Sequence, residues 1–284
     1  MIRHMFRNIG EGKLHYEVRG EGRPILMLHG FSLDSAVMLG CLEPLFSFKK
    51  GWKRIYVDLP GMGGSPRIPG VNDSDEMLDV MVRFVDSILP EQSFAIAGES
   101  YGGYLARGLL RERMESVKGM LLICPLVFAS PSKRELPPKK VLVQEEGILD
   151  RAGKAAQGFS DIGVVLSQDT LDRYWKDVMP GKTSGDQQFQ QQLFENGYAF
   201  SFDVDEISHP FHHPALVLAG RQDHVVGYRD AWKLLEKYPR GTFAVLDRSG
   251  HNLQFEQVGL FDALVSEWLD RVDEAWNAPE SRRN

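Results

Sequence analysis

The sequence predicts an α/β fold, with a mostly parallel central sheet, helices on both faces and a helical cap inserted between the two halves of the sheet. Three observations predict it. Short runs that are apolar at every position recur along the chain, as in Ile25-Leu-Met-Leu-His29 and Ala215-Leu-Val-Leu-Ala219. A strand covered on both faces has that composition. Helix-spaced segments separate most of these runs, and strand–helix alternation is the pattern of a doubly wound sheet. The alternation then fails over residues 128–213, where no core-strand pattern occurs.

Taken in order, Lys13-Leu-His-Tyr-Glu-Val-Arg19 alternates polar and apolar. It reads as an antiparallel strand with one wet face, paired with residues 5–9. Gly20-Glu-Gly-Arg-Pro24 is a turn. Covered strands are then expected at 25–29, 54–58, 94–98, 120–124, 215–219 and 242–246. A helix is expected over 75–89, where Met77, Leu78, Val80, Met81, Phe84, Val85 and Ile88 share one face. The cap-type run Asn72-Asp-Ser-Asp75 precedes it. Further helices are expected over 104–110, 230–238 and 260–276. Ser130-Pro-Ser-Lys-Arg-Glu-Leu-Pro-Pro-Lys-Lys140 reads as an exit linker and His209-Pro-Phe-His-His-Pro214 as a re-entry. Residues 1–127 and 214–284 thus form the expected core, and 128–213 the expected cap. Phe159, Tyr174, Trp175, Phe189, Phe194, Tyr198, Phe200 and Phe202 make the insertion too aromatic for a disordered loop. Pro279-Glu-Ser-Arg-Arg-Asn284 reads as a frayed tail.

With 43% apolar and 25% charged residues, the 284-residue chain reads as a globular protein with a large core. A net charge of −6 argues against nucleic acid or an anionic membrane as the main partner. The longest apolar run, residues 120–128, is too short to span a bilayer. No apolar stretch follows Arg3 and Arg7, so no secretory signal is expected. Two cysteines, Cys41 and Cys124, offer no disulfide framework, and Cys124 reads as a small buried hydrophobe. A cytoplasmic location is expected.

The chemistry is concentrated in Gly98-Glu-Ser-Tyr-Gly-Gly103. A strand-like run enters this G-x-S-x-G motif and a helix-compatible stretch leaves it. A serine at such a turn has its hydroxyl held out from the sheet edge, and the glycines permit the tight backbone. Serine needs an imidazole to take its proton and a carboxylate to fix the imidazole tautomer. Two later strands run into turns carrying Asp223 and His251, in the order that an elbow serine requires. Strand carboxyl ends are where such sheets bind ligands. Ser100 is therefore the expected nucleophile, His251 the base and Asp223 the acid. Asp247 and Glu256 are rivals to Asp223 because both are near His251 in sequence. The expected oxyanion donors are the N–H groups of Phe31 and Tyr101. His29 reads as a structural histidine that orders the Phe31 loop.

Five pieces together resemble the α/β-hydrolase superfamily: His29-Gly-Phe31, Asp58-Leu-Pro-Gly-Met-Gly-Gly-Ser65, Gly98-Glu-Ser-Tyr-Gly-Gly103, Gly220-Arg-Gln-Asp223 and Ser249-Gly-His251. They cover both halves of the sheet region and leave the insertion unmatched. The resemblance implies the same Ser100, His251 and Asp223 roles, the Phe31 and Tyr101 hole, and a structural role for the 58–65 turn. Haloalkane dehalogenases and epoxide hydrolases carry Asp where this chain has Ser100. The lipase-type His-Gly-Gly-Gly string is absent. Proline iminopeptidases look similar at the elbow, but their His-Gly-Gly-Pro-Gly string is replaced by His29-Gly-Phe-Ser-Leu33. The Gly-Pro-Gly loop of C–C bond hydrolases is also missing.

The expected function is a serine hydrolase acting through an acyl-enzyme on a small-molecule ester, thioester or amide. An N-terminal aminopeptidase, a C–C bond hydrolase and a non-catalytic ligand-binding fold are the alternatives. An aminopeptidase would need a carboxylate for the substrate ammonium, for which Glu145, Glu146, Asp203, Asp205 and Glu206 are candidates. No cofactor or metal is expected, because His209, His212, His213 and His224 lack ligand spacing with carboxylates or cysteines. Ile148, Leu149, Phe159, Ile162, Val164, Val165 and Leu166 are expected to line an apolar pocket.

Overall fold

The computed structural model describes residues 2–277; the tail from Pro279 to Asn284 lies outside them. The first half runs β1 (Ile2–Ile9), β2 (Gly12–Arg19), β3 (Arg23–Leu28), α1 (Ala36–Leu42), β4 (Trp52–Val57), α2 (Ser74–Ile88), β5 (Phe94–Glu99), α3 (Tyr101–Glu112) and β6 (Val117–Ile123). The inserted segment holds β7 (Val143–Gln144), α4 (Ile148–Ala152), α5 (Ala156–Ile162), β8 (Val165–Leu166), α6 (Gln168–Arg173), α7 (Met179–Lys182) and α8 (Gln187–Asn196). The chain ends with β9 (Ala215–Gly220), α9 (Arg229–Trp232), β10 (Gly241–Leu246), α10 (Leu253–Glu256) and α11 (Val258–Asn277).

Eight strands form one sheet in the order β1-β2-β4-β3-β5-β6-β9-β10. The β1–β2 hairpin and the β2–β4 pairing are antiparallel. Every pairing from β4 to β10 is parallel. The carboxyl ends of β3, β5, β6, β9 and β10 therefore share one edge. β5 and β9 are buried at every position, as their unbroken apolar runs require. β10 differs from the expectation of a covered strand. It is the edge strand and mostly half-buried, because nothing pairs beyond it in the sheet.

Local chemistry sets the helix boundaries. Asp73 caps α2 by accepting the Glu76 N–H at 2.9 Å, and Met77, Val80, Met81 and Phe84 face the core. The helix expected over 230–238 is instead α9 followed by a 3₁₀ turn, Lys233–Lys237. α11 packs on the sheet with Trp268 and Val272 buried, and Trp276 meets Trp52 edge-on at 6.1 Å. Among the described residues, no helix is long and apolar enough to cross a membrane.

The inserted segment adds only the two-residue parallel pair β7–β8, separate from the main sheet. Ile148, Phe159, Leu166, Leu171 and Tyr174 gather with Phe255 into a second apolar core, with Leu149 and Ile162 packed against it. This corrects the expectation that these residues line a pocket: their side chains are consumed holding the short helices together. The segment returns over α3 in register with its turns. Tyr198 stacks on Tyr101 at 5.0 Å, Phe200 lies 4.2 Å from Tyr104, and buried Arg107 takes Asp205 through two nitrogens. Arg107 also donates to the carbonyls of Leu126 and Val127, where the insertion leaves the sheet.

Arg107 is 1% exposed, so losing its partner strands a buried charge. Asp205→Ala is expected to cost about 2 kcal/mol, below the usual range for buried pairs because Asp205 is itself partly exposed. Glu206→Ala, at an exposed neighbour, is expected to stay within about 0.5 kcal/mol. Denaturant midpoints of the two variants provide the check.

Candidate active site

Ser100 occupies the turn between β5 and α3 with φ 52° and ψ −115°, a strained conformation for a residue with a Cβ. Four backbone bonds hold it there. Its N–H donates to Ile123 at 2.9 Å, and its carbonyl accepts from Gly103, Tyr104 and Leu126 at 3.0, 3.2 and 3.0 Å. The turn is tight enough to exclude side chains. A Cβ on Gly98 would overlap the Gly102 carbonyl, and one on Gly102 would overlap the carbonyl of Leu28. The elbow thus wedges between β3 and β6 with its hydroxyl at the common carboxyl edge.

β9 and β10 deliver the other two groups to that edge. The Asp223 and His251 turns are stitched together: Arg221 donates to the Leu246 carbonyl at 2.8 Å and Gln222 to that of Ser249 at 2.9 Å. His251 Nδ1 lies 2.9 Å from Asp223 Oδ2, and His251 Nε2 lies 2.9 Å from Ser100 Oγ. With His251 neutral, Nδ1–H donates to the carboxylate and Nε2 accepts the serine hydroxyl. The second Asp223 oxygen takes the N–H groups of Val225 and Val226 at 2.9 and 3.1 Å. Burial opposes the Asp223 charge, but His251 and these backbone donors outweigh it and hold the carboxyl below its ordinary range.

The loop after β3 closes the site from the other side. Gly30 presses against Ser100: a Cβ there would stand 3.2 Å from Ser100 Cβ. The Phe31 ring meets Tyr101 edge-on at 5.4 Å and Tyr198 at 5.0 Å. Tyr101 opens α3, so its N–H lies at a helix start, where donors lack intrahelical partners. His29 is fully engaged. Its Nδ1 donates to the Gly30 carbonyl at 2.7 Å and its Nε2 accepts the Leu59 N–H at 3.0 Å. Burial pushes its pKa down, which suits a neutral ring that orders this loop. Asp58 anchors the neighbouring turn by accepting Ser35, Gly64 and His15, each at 2.8 Å.

The structure thus brings together all five predicted site residues. The rival acids stand elsewhere. Asp247 is exposed and takes Gln222 at 2.7 Å. Glu256 accepts Gly250 N–H at 2.7 Å, Val164 at 2.6 Å and Val165 at 3.1 Å, joining the His251 loop to the insertion. The candidate ammonium-binding carboxylates also point away from such a role. Glu145, Glu146, Asp203 and Glu206 are exposed, and Asp205 is held by Arg107. Outside the aromatic wall, Phe31, Phe194, Lys182 and Gln190 line a groove of about 450 Å³. Among the described residues, only Cys124, Asp223 and His251 bring three metal-ligating atoms within 4.8 Å of one another. There His251 is occupied by Asp223 and Ser100.

Sequence reasoning passed over one group, Glu99. Its side chain is buried and Oε1 lies 3.6 Å from His251 Nε2. Burial pushes its carboxyl up to about 7. The available signal was an acidic residue at the last position of a fully covered strand. For His251, burial opposes the charged ring, but Asp223 and then Glu99 outweigh it and lift its pKa to about 9.

The sequence model of the family described as alpha/beta hydrolase fold matches residues 23–258. The chain belongs to the α/β-hydrolase family. Its similarity to a pimeloyl-[acyl-carrier protein] methyl ester esterase of Aeromonas hydrophila is 27% identity over 242 residues, covering 82% of this chain and 89% of that protein. An (E)-2-((N-methylformamido)methylene)succinate hydrolase of Acinetobacter baylyi is 22% identical over 90% of this chain and 94% of its own. Among solved structures, an alpha/beta superfamily hydrolase from Oenococcus oeni superposes with TM-score 0.85 at 30% identity, covering 95% of this chain and 99% of that one. A proline iminopeptidase-related protein from Thermus thermophilus shares the fold with TM-score 0.74 at 21% identity, over 97% and 99% of the two chains. This α/β-hydrolase is an enzyme, as its esterase and hydrolase relatives are named to be.

Two outcomes are expected from this geometry. Asp223→Asn is expected to lower kcat about 10³–10⁴-fold, the scale seen when other triads lose their acid. Asp247→Asn is expected to stay within about twofold. Steady-state kinetics on one ester separates them. Because a base has to be neutral to accept a proton, kcat/KM is expected to climb as pH rises through about 9, where His251 loses its proton. A pH–rate profile reads this limb directly.

Proposed function

We propose that this α/β-hydrolase is a serine hydrolase that cleaves small carboxylic esters through an acyl-enzyme on Ser100. The observation that carries the reading is the unbroken run Ser100 Oγ, His251 Nε2, His251 Nδ1, Asp223 Oδ2, with 2.9 Å at each end of the imidazole. In acylation, Ser100 Oγ attacks the ester carbonyl carbon while His251 Nε2 takes the hydroxyl proton. The carbonyl oxygen becomes an oxyanion beside the N–H groups of Phe31 and Tyr101. The tetrahedral intermediate then expels the alcohol, which leaves with the proton from His251. Water repeats the sequence on the acyl-enzyme, releasing the acid and free Ser100.

Residues 128–213 act in this reading as a cap over the core formed by 1–127 and 214–284. Its support is the double attachment at the site, with Tyr198 on Tyr101 and Glu256 taking Val164 and Val165. The wall near the serine is aromatic, from Phe31, Tyr101 and Tyr198. Such a wall suits a compact uncharged acyl group. The esterase names of the similar proteins favour an oxygen leaving group over an amine. The exposed or paired state of the five cap carboxylates speaks against an aminopeptidase.

A fluorophosphonate probe is expected to label the wild-type protein and not Ser100→Ala, whose turnover is expected to fall about 10⁴-fold or more with its circular dichroism unchanged. Acetyl and butyryl p-nitrophenyl esters are expected to exceed prolyl- and alanyl-anilides in kcat/KM. Labelling that persists in Ser100→Ala would overturn the nucleophile, and preference for the anilides would overturn the ester.

A further inference from the structure

Glu99 is the buried titratable group for which serine hydrolysis has no standard use. It ends β5, one residue before the nucleophile, and is 2% exposed. Its Oε1 lies 3.6 Å from His251 Nε2, the same nitrogen that holds Ser100 Oγ. Its Oε2 has no hydrogen-bond partner among the described residues and lies against Gly30, where a Cβ would overlap it. The imidazole therefore stands between two carboxylates, Asp223 on the Nδ1 side and Glu99 on the Nε2 side.

The two carboxylates differ in how their charge is spent. Asp223 divides its charge among His251, Val225 N–H and Val226 N–H. Glu99 has no such set of donors, and a buried carboxylate with an orphan oxygen is costly unless a cation stands beside it. The cation within reach is His251 once it carries a proton.

We propose that Glu99 is a positioning residue for proton transfer, one that holds the His251 imidazolium from the Nε2 side and so sets the pH at which Ser100 becomes active. The inference rests on the Ser100–His251–Asp223 reading above. During acylation the proton moves from Ser100 Oγ to His251 Nε2, and positive charge grows 3.6 Å from Glu99 Oε1. The carboxylate lowers the energy of that state. In the free enzyme the same attraction keeps a proton on His251 to higher pH. One residue thus raises both the rate of the competent form and the pH needed to populate it.

Other groups near the pair hold still over the relevant range. Burial pushes the thiols of Cys41 on α1 and Cys124 after β6 up, the Tyr198 phenol of the insertion up, and the His29 ring after β3 down, so all four stay neutral. Asp223 after β9 stays ionised. Arg134, held by the carbonyls of Phe128, Ala129 and Val225, stays charged although burial pulls its pKa down. Glu256 on α10, raised by burial, is a carboxyl whose range lies below the His251 limb.

The test is the pH dependence of fluorophosphonate labelling for the wild type, Glu99→Gln and Glu99→Asp, which reads serine activation without an ester substrate. Glu99→Gln keeps the shape and removes the charge. Its rising limb is expected about 1 pH unit or more below that of the wild type, the scale of one close opposite charge. Its plateau rate is expected to be about tenfold lower, the equivalent of one pH unit of lost interaction. Glu99→Asp keeps the charge at longer range, and its limb is expected between the two. A Glu99→Gln limb at the wild-type pH would overturn the proposal whatever its plateau, since a merely structural role lowers the rate without moving the limb. If melting shows that Glu99→Gln does not fold, the Glu99→Asp comparison decides in the same way. Absence of labelling in the wild type would instead count against the Ser100 reading, a different failure.

Discussion

His251 touches Ser100 and Asp223 at 2.9 Å each, although the three residues come from turns far apart in sequence. Such a contact tolerates only a few tenths of an ångström of error at either end. The parallel run from β3 to β10 supplies that accuracy. It places the carboxyl ends of β5, β9 and β10 on one edge and fixes their spacing through the backbone ladders. The strained Ser100 backbone is a local consequence. At φ 52° the residue persists because β3, β6 and α3 pack around it from three sides.

The same edge also fastens the insertion. On one side, α3 presents Tyr101, Tyr104 and Arg107 at helical spacing to Tyr198, Phe200 and Asp205. On the other, Glu256 carries the backbone N–H groups of Val164, Val165 and Gly250 on one carboxylate. Tyr101 is next to Ser100, and Gly250 is next to His251. The inserted segment is thereby attached on both sides of the site. Its separate core around Phe159, Leu166 and Phe255 lets it behave as a packed unit.

Three carboxylates surround one imidazole loop, and their environments give them different work. Asp223 is saturated with donors and stays ionised. Glu256 is half-buried, accepts three backbone N–H groups and serves as a strut, its pKa raised by burial in spite of them. Glu99 is buried with the Gly30 backbone beside it in place of a set of donors, so its state depends on His251. Residue type says nothing of this division. It follows from which N–H groups each carboxylate meets.

The sequence by itself determined the α/β class, the eight main-sheet strands, the elbow at Ser100 and the identity of the two groups that meet it. Those features are local: unbroken apolar runs, turn glycines, and the order of serine, acid and histidine along the chain. Asp223 could be preferred to Asp247 because it follows a different strand, again a matter of order. Tertiary structure alone decided the rest. The β10 strand reads like β9 but lies at the sheet edge, since strand order is set by long-range pairing. Ile148, Phe159 and Leu166 read as a pocket wall and became a second core, while Tyr198 stacked on Tyr101 beside Ser100. Glu99 was invisible because a motif position says which residue is next to Ser100, and only the folded edge says that its carboxylate stands 3.6 Å from His251. Apolar period and turn chemistry are written within a few residues, whereas the partner of a buried side chain is fixed by segments that meet only when the sheet has formed.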